Sequence, residues 1–200
     1  MTSESTLLHL VGSIYDAAAD ASRWPDFLMR FQAVLSSRNT ALMYATPNEV
    51  VVQATGADQA DIRKYHQYPC PWLDRLVAAN WQTGGADASH HLIDDRELRK
   101  TECFSEFLGP RQFHYGLGAA IAAGNEPAVF VTLREAAKGP YSDDDLAVLR
   151  TLLPHMSRAF QLYGRVAALE SDRRALASAL DRLGTGLVLL DEASRILFTQ

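Results

Sequence analysis

The chain has 200 residues, room for one domain or two small ones, with 48 % apolar and 22 % charged residues, an ordinary soluble balance. Its 12 glycines and 8 prolines are too few for a collagen-like or disordered chain. The net charge is −5, and neither residues 1–141 nor residues 142–200 hold a basic excess, which excludes a chain that coats nucleic acid or an anionic membrane.

Leu7, Leu10, Val11, Ile14 and Tyr15 fall at helical spacing and predict a first helix, broken at Asp20 to Pro25. Pro25 suits a first helical turn, and Phe27, Leu28, Phe31, Val34 and Leu35 predict a second helix. Thr40 to Thr46 and Glu49 to Thr55 read as two strands around Pro47-Asn48. Asp58 to Asn80 reads as helix interrupted at Pro69 and Pro71, and Gly84-Gly85 as a loop. Ser89 to Ile93 reads as a short strand, and Asp94 to Leu108 as two short helical pieces ended by Gly109-Pro110. Phe113 to Ala123 and Ala128 to Leu133 make the best hairpin, joined by the turn formers Gly124 to Pro127. The β-branched and aromatic run Ala128 to Leu133 belongs in the middle of a sheet.

Ser142 to Leu183 predicts one long helix. Ser142 is a capping residue, and Asp143, Asp144 and Asp145 suit the positive end of the helix dipole. Leu146, Leu149, Leu153, Met156, Phe160, Tyr163 and Ala167 alternate spacings of three and four. A second seam, Leu162, Val166, Leu169, Leu176, Leu180 and Leu183, does the same with Arg173 at one position, so the stripe shifts near residue 166 as at a stutter. Pro154 predicts a bend. A helix of roughly 60 Å at 1.5 Å per residue cannot bury both ends on one small domain. Its first half should pack on the sheet and its second half on another chain, forming a homodimer, with packing inside the monomer as the alternative. Gly184 to Gly186 stops the helix, and Leu187 to Asp191 and Ile196 to Gln200 read as a hairpin that is marginal alone.

That tail, Leu180 to Asp191 followed by a turn and a strand, resembles the opening of a PAS domain, with Gly184 where a proline is usual. The residues before it resemble the sensory half of bacterial LuxR-type helix-turn-helix transcriptional regulators. Five phrases in order carry this: Ile14 to Ala18 with Trp24-Pro25, Pro71 to Leu76, Phe104 to Pro110, Tyr141 to Asp145, and Leu149 to Ala159. The resemblance implies an α/β (α+β) fold, with a GAF/PAS-like antiparallel sheet flanked by helices, a long connector helix and a truncated PAS-like hairpin. The expected domains are a sensor over 1–141, a dimerising connector over 142–183 and the start of a second PAS-like domain over 184–200. DNA would be contacted only through a C-terminal domain outside these residues.

Such sensors hold small molecules between the sheet and its covering helices, and aromatics with one polar atom suit that work. Tyr65, Tyr68, Trp72, Trp81, Phe104, Phe107, His114 and Phe130 are the expected lining of a pocket for an unidentified small apolar ligand, with plain core packing as the alternative. In quorum-sensing members a Tyr, a Trp and a downstream Asp hold an acyl-homoserine lactone; Tyr68, Trp72 and Asp74 match that order with different spacing and are not assigned that role.

Other chemistries find little support. His90 and His91, adjacent on an expected strand, would face opposite sides. His66 and Cys70 have helical spacing, but Pro69 breaks the helix that spacing needs, so no metal is expected. There is no nucleophile elbow or P-loop, and Gly116-Leu117-Gly118 lacks a third glycine, so no enzyme and no cofactor is expected. Spacing predicts no bridge between Cys70 and Cys103, and without a secretion signal they should be reduced thiols in the cytoplasm. The most apolar run, Gly116 to Ala123, is far short of the ~20 residues of a membrane helix. The expectation is a ligand-sensing, dimerising regulatory module, with a stand-alone dimeric adaptor as the alternative and a small hydrolase or thiol enzyme behind both.

Overall fold

Two amphipathic helices begin the chain. Helix α1 (Glu4–Ala19) starts where the Ser3 hydroxyl accepts the Thr6 N–H, and buries Leu10, Ile14, Ala17 and Ala18. Asp20 ends it and caps a short 3-10 turn, after which Pro25 fits the first turn of α2 (Trp24–Val34). The computed structural model describes residues 2–45, 50–56, 68, 70–80, 82–122, 127–181, 188–190 and 195–199. They divide into two units, one ending at Gln161 and one beginning at Leu162.

The first unit is built on a five-stranded antiparallel sheet of order β2-β1-β5-β4-β3. Its strands are β1 (Asn39–Ala45), β2 (Val50–Thr55), β3 (Gly85–Ala88), β4 (Phe113–Ala122) and β5 (Pro127–Glu135). The expected hairpins β1–β2 and β4–β5 both form, and β5 lies at the centre. After β2 the chain crosses to the far edge through helix α3 (Pro71–Asn80), with Pro71 in the first position, where its missing N–H costs nothing. The rest of the expected Asp58 to Asn80 helix lies outside the described residues.

One expected element is corrected. Ser89 to Ile93 is no strand: Ser89–Leu92 is a single helical turn, α4, and the edge strand is the preceding Gly85–Ala88, which was read in part as loop. Pairing of Gly85 to Ala88 with Ala120 to Leu117 recruits residues of poor strand propensity. The Ser89 hydroxyl, turned inward, accepts the Gly116 N–H at 3.0 Å. Gly84, at φ +76°, makes the bend that leads in. The turn α5 (Asp95–Leu98) and a six-residue π-helical turn over Cys103–Leu108 follow, matching the two expected helical pieces.

Strand alternation divides the core. Leu42, Phe130 and Ala119 share the face toward α2, where Phe130 meets Phe31 at 4.9 Å and Phe27 at 6.2 Å between ring centroids. Helix α6 (Asp143–Asp181) seals the same side. Its Phe160 stacks on Trp24 at 5.2 Å and meets Tyr44 at 5.3 Å, and its His155 shares a hydrogen bond with the Tyr15 hydroxyl. Leu146, Leu149, Met156 and Phe160 are buried as their spacing predicts, whereas Leu152 is fully buried and Leu153 only half-buried, so the stripe lies slightly off the expected seam. Pro154 sits inside α6 and leaves the Arg150 carbonyl without its helical donor.

The start of α6 is tied to the sheet. Ser142 Oγ accepts the Asp145 N–H and Asp145 Oδ2 accepts the Ser142 N–H, a reciprocal cap. The buried Arg134 of β5 donates to Asp145 Oδ2, to Leu35 O at the end of α2 and to Pro140 O, with its guanidinium 3.9 Å above the Tyr141 ring.

In the second unit, Leu162, Val166 and Leu169 of the expected seam are 41 %, 50 % and 70 % exposed. The side chains of Leu176 and Leu180, and Leu183 itself, lie outside the described residues. Strands β6 (Val188–Leu190) and β7 (Ile196–Thr199) pair antiparallel, as the expected hairpin. No helix among the described residues is long and apolar enough to cross a membrane.

Candidate functional site

The sheet face carrying Met43, Val131 and Leu133 is covered differently from its opposite. Among the described residues its cover is α3, the single turns α4 and α5, and the π-helical turn. A π-helical turn widens the backbone and recurs at functional sites; here it closes with the Gly109 N–H donating to Phe104 O at 2.7 Å.

Trp72 lies at the centre of this cover, 1 % exposed. Its indole rests on a bare shelf of β4: a Cβ at Gly116 would come 2.6 Å from Trp72 Cζ2, and one at Gly118 would come 2.9 Å from Leu76 Cδ2. Two glycines at strand spacing share a face, and the space their absent side chains leave is filled by the Trp72 ring and Leu76. Phe107 packs against Phe113 with ring centroids 6.3 Å apart, with the Arg111 guanidinium over Phe107. At the rim, the Phe104 ring meets His114 at 5.7 Å and the Arg99 guanidinium at 5.3 Å, and Arg99 is anchored by Asp95 at 2.7 Å.

Both cysteines belong to the same buried cluster. The neighbouring Cys103 thiol and then burial push the Cys70 thiol far above its ordinary range.

Of the expected pocket residues, Trp72 and Phe107 are brought together in this cluster, with Tyr68 and Phe104 half-buried against it. His114 stands at the rim, where its ring nitrogen is 3.4 Å from Arg99. Phe130 is elsewhere, on the opposite face among Phe27 and Phe31, because its strand position has the other parity from Val131 and Leu133. Tyr65 and Trp81 lie outside the described residues. Asp74 is exposed and takes no part in the cluster. Gly116, Gly118, Leu76 and Ser89 were not expected at the site; the alternation of two glycines within an apolar strand is the signal that marks a shelf.

His90 and His91 sit on a helical turn, with ring centroids 4.3 Å apart, and not on opposite faces of a strand. His91 is hydrogen-bonded to Asp87 at 2.7 Å. Among the described residues no three His, Cys, Asp or Glu side chains are placed to hold a metal ion.

The chain matches no family model and no curated protein. Solved structures do share its fold. The ligand-binding domain of VqsR from Pseudomonas aeruginosa superposes with a TM-score of 0.58 at 12 % identity, covering 78 % of this chain and 94 % of that one. The N-acylhomoserine lactone dependent LuxR family transcription factor CepR2 from Burkholderia cenocepacia gives 0.55 at 14 % identity, over 80 % and 96 %. A phycoerythrobilin-bound GAF domain from a cyanobacterial phytochrome gives 0.55 at 12 % identity, over 82 % and 96 %. A mixed α/β architecture with a five-stranded antiparallel sheet flanked by helices is therefore the fold of the first unit, and it is GAF-like.

Proposed function

We propose that this chain is the ligand-sensing and dimerising module of a bacterial LuxR-type transcriptional regulator, acting in the cytoplasm and without catalytic activity, whose output is a separate DNA-binding domain. The observation that carries this reading is the asymmetry of the sheet. One face carries α2 and the start of α6, while the other has a glycine shelf under α3 and several single turns. A small apolar ligand displaces the Trp72 ring from the shelf of Gly116 and Gly118, with Phe104, Phe107 and Tyr68 as walls and His114 at the rim.

The coupling is a short one. Gly116 pairs with Leu133, and the next residue, Arg134, holds Asp145 at the start of α6. Binding that shifts β4 against β5 therefore moves the grip on the helix, whose exposed Leu162, Val166 and Leu169 pair with a second copy.

Organic extraction of the protein isolated from bacterial cells, followed by mass spectrometry, tests the ligand. A small molecule retained by the wild type and lost from Gly118→Ala, whose added Cβ crowds the Leu76 and Trp72 side chains, is the expected result. Identical extracts from both proteins would contradict the site.

A further inference from the structure

Helices α1 and α2 bury Ile14, Ala17, Phe27 and Phe31 on their inner sides and leave a cleft of about 250 Å³ between their exposed sides. Pockets for drug-sized molecules run from about 300 to 1,000 Å³, so this space suits something smaller. Next to the connecting turn, the Arg23 guanidinium meets Asp16 at 3.7 Å and Asp20 at 3.8 Å, which closes that end. Further from the turn the walls carry His9 on α1 and Asp26 and Arg30 on α2. Asp26 and Arg30 have the i, i+4 spacing of a helical ion pair, yet among the described residues neither side chain has an ion-pair or hydrogen-bond partner. Between these groups Gly12 lines the cleft, and a Cβ built on it would meet nothing within 4 Å. Glycine is a weak helix former, and in the middle of α1 no positive φ or close neighbour calls for it. Its effect is to keep the cleft clear.

We propose that the cleft between α1 and α2 binds a free amino acid, its carboxylate on Arg30 and His9 and its ammonium on Asp26. The mixed charge of the walls selects this class. A simple anion would be drawn to Arg30 and repelled by Asp26 and Asp16, and a simple cation would meet the reverse. A molecule carrying both charges a few atoms apart satisfies Asp26 and Arg30 together, each through a charge-assisted hydrogen bond. Leu8, 63 % exposed at the same cleft, offers an apolar surface to the amino acid's side chain. Water reaches every one of these groups, so each contact is modest and the complex is weak and readily exchanged. The site is separate from the glycine shelf and does not depend on the sensor reading.

The test titrates each standard L-amino acid into the full-length chain, with binding followed by ligand-observed NMR, which detects weak complexes. At least one should bind saturably, and its N-acetyl and its carboxamide derivatives, each lacking one charge, should bind about tenfold more weakly or worse. Gly12→Leu fills the cleft at a position with open space and improves the helix, so it should fold at least as stably while losing the ligand. Arg30→Gln and Asp26→Asn, both exposed, should keep the fold and weaken binding about tenfold each. No saturable binding by any amino acid, binding that survives Gly12→Leu, or an N-acetyl derivative held as tightly as the free amino acid would overturn the proposal.

Discussion

Arg134 is the only buried charged residue among the described residues, and Asp145 is its anionic partner. Burying a cation costs several kcal/mol unless it is paired, so the two halves of this contact are not equivalent. Asp145→Ala leaves the guanidinium buried beside two carbonyls and also removes half of the reciprocal cap, and should cost about 3–5 kcal/mol in denaturant unfolding. Arg134→Met removes the charge itself and should cost less. Equal and small losses, as for an exposed pair, would show that the grip on α6 is incidental. Tyr141, stacked on Arg134 and hydrogen-bonded to Ser37 at 2.8 Å, has its phenol pushed up, chiefly by burial. The folded state thus holds this proton more tightly than the unfolded state does. Its stability contribution is complete below the ordinary phenol range near pH ~10 and is lost as pH rises through the raised value. Tyr141→Phe should flatten that alkaline loss in unfolding measured from pH 8 to 11.

Among the elements, β4 and α3 are matched through Trp72 and the glycine shelf. Trp72→Ala should destabilise the first unit by about 3–5 kcal/mol by opening a cavity over Gly116 and Gly118. If a ligand uses that space, adding it should return part of the loss; a variant as stable as the wild type would mean the shelf holds nothing. Much of this layer was legible in the sequence. The β4–β5 hairpin was readable because a turn cluster separates two apolar runs, and α6 because Ser142 and three aspartates mark its start. β3 was not readable: Gly85 to Ala88 has no strand character of its own and pairs only because β4 offers an edge. Phe130 shows a second limit. Its place in a strand was evident, but which face it points to follows from the register with β1 and β4, which no single run encodes. The aromatic density between residues 65 and 115 located the cover, whereas the two glycines, having no side chain, gave no aromatic signal.

At the scale of the whole molecule, large apolar side chains are exposed in the first unit at Leu8, Met29 and Val50 and along the far half of α6. Leu162, Val166 and Leu169 recur at spacings of four and three on one helix and are all exposed. Pairing along that stripe with a second copy, as proposed, would bury them at about 25 cal/mol per Å². Leu162→Arg combined with Leu169→Arg should convert a dimer to a monomer in sedimentation, with the unfolding of the first unit unchanged. Unchanged stoichiometry would place the dimer contact elsewhere or nowhere. Native mass spectrometry of the purified wild type, read before and after mild denaturation, reports stoichiometry and any retained small molecule together. The predicted result is a dimer carrying an extra mass of a few hundred daltons, released when the fold opens. A bare monomer would contradict both the connector and the sensor.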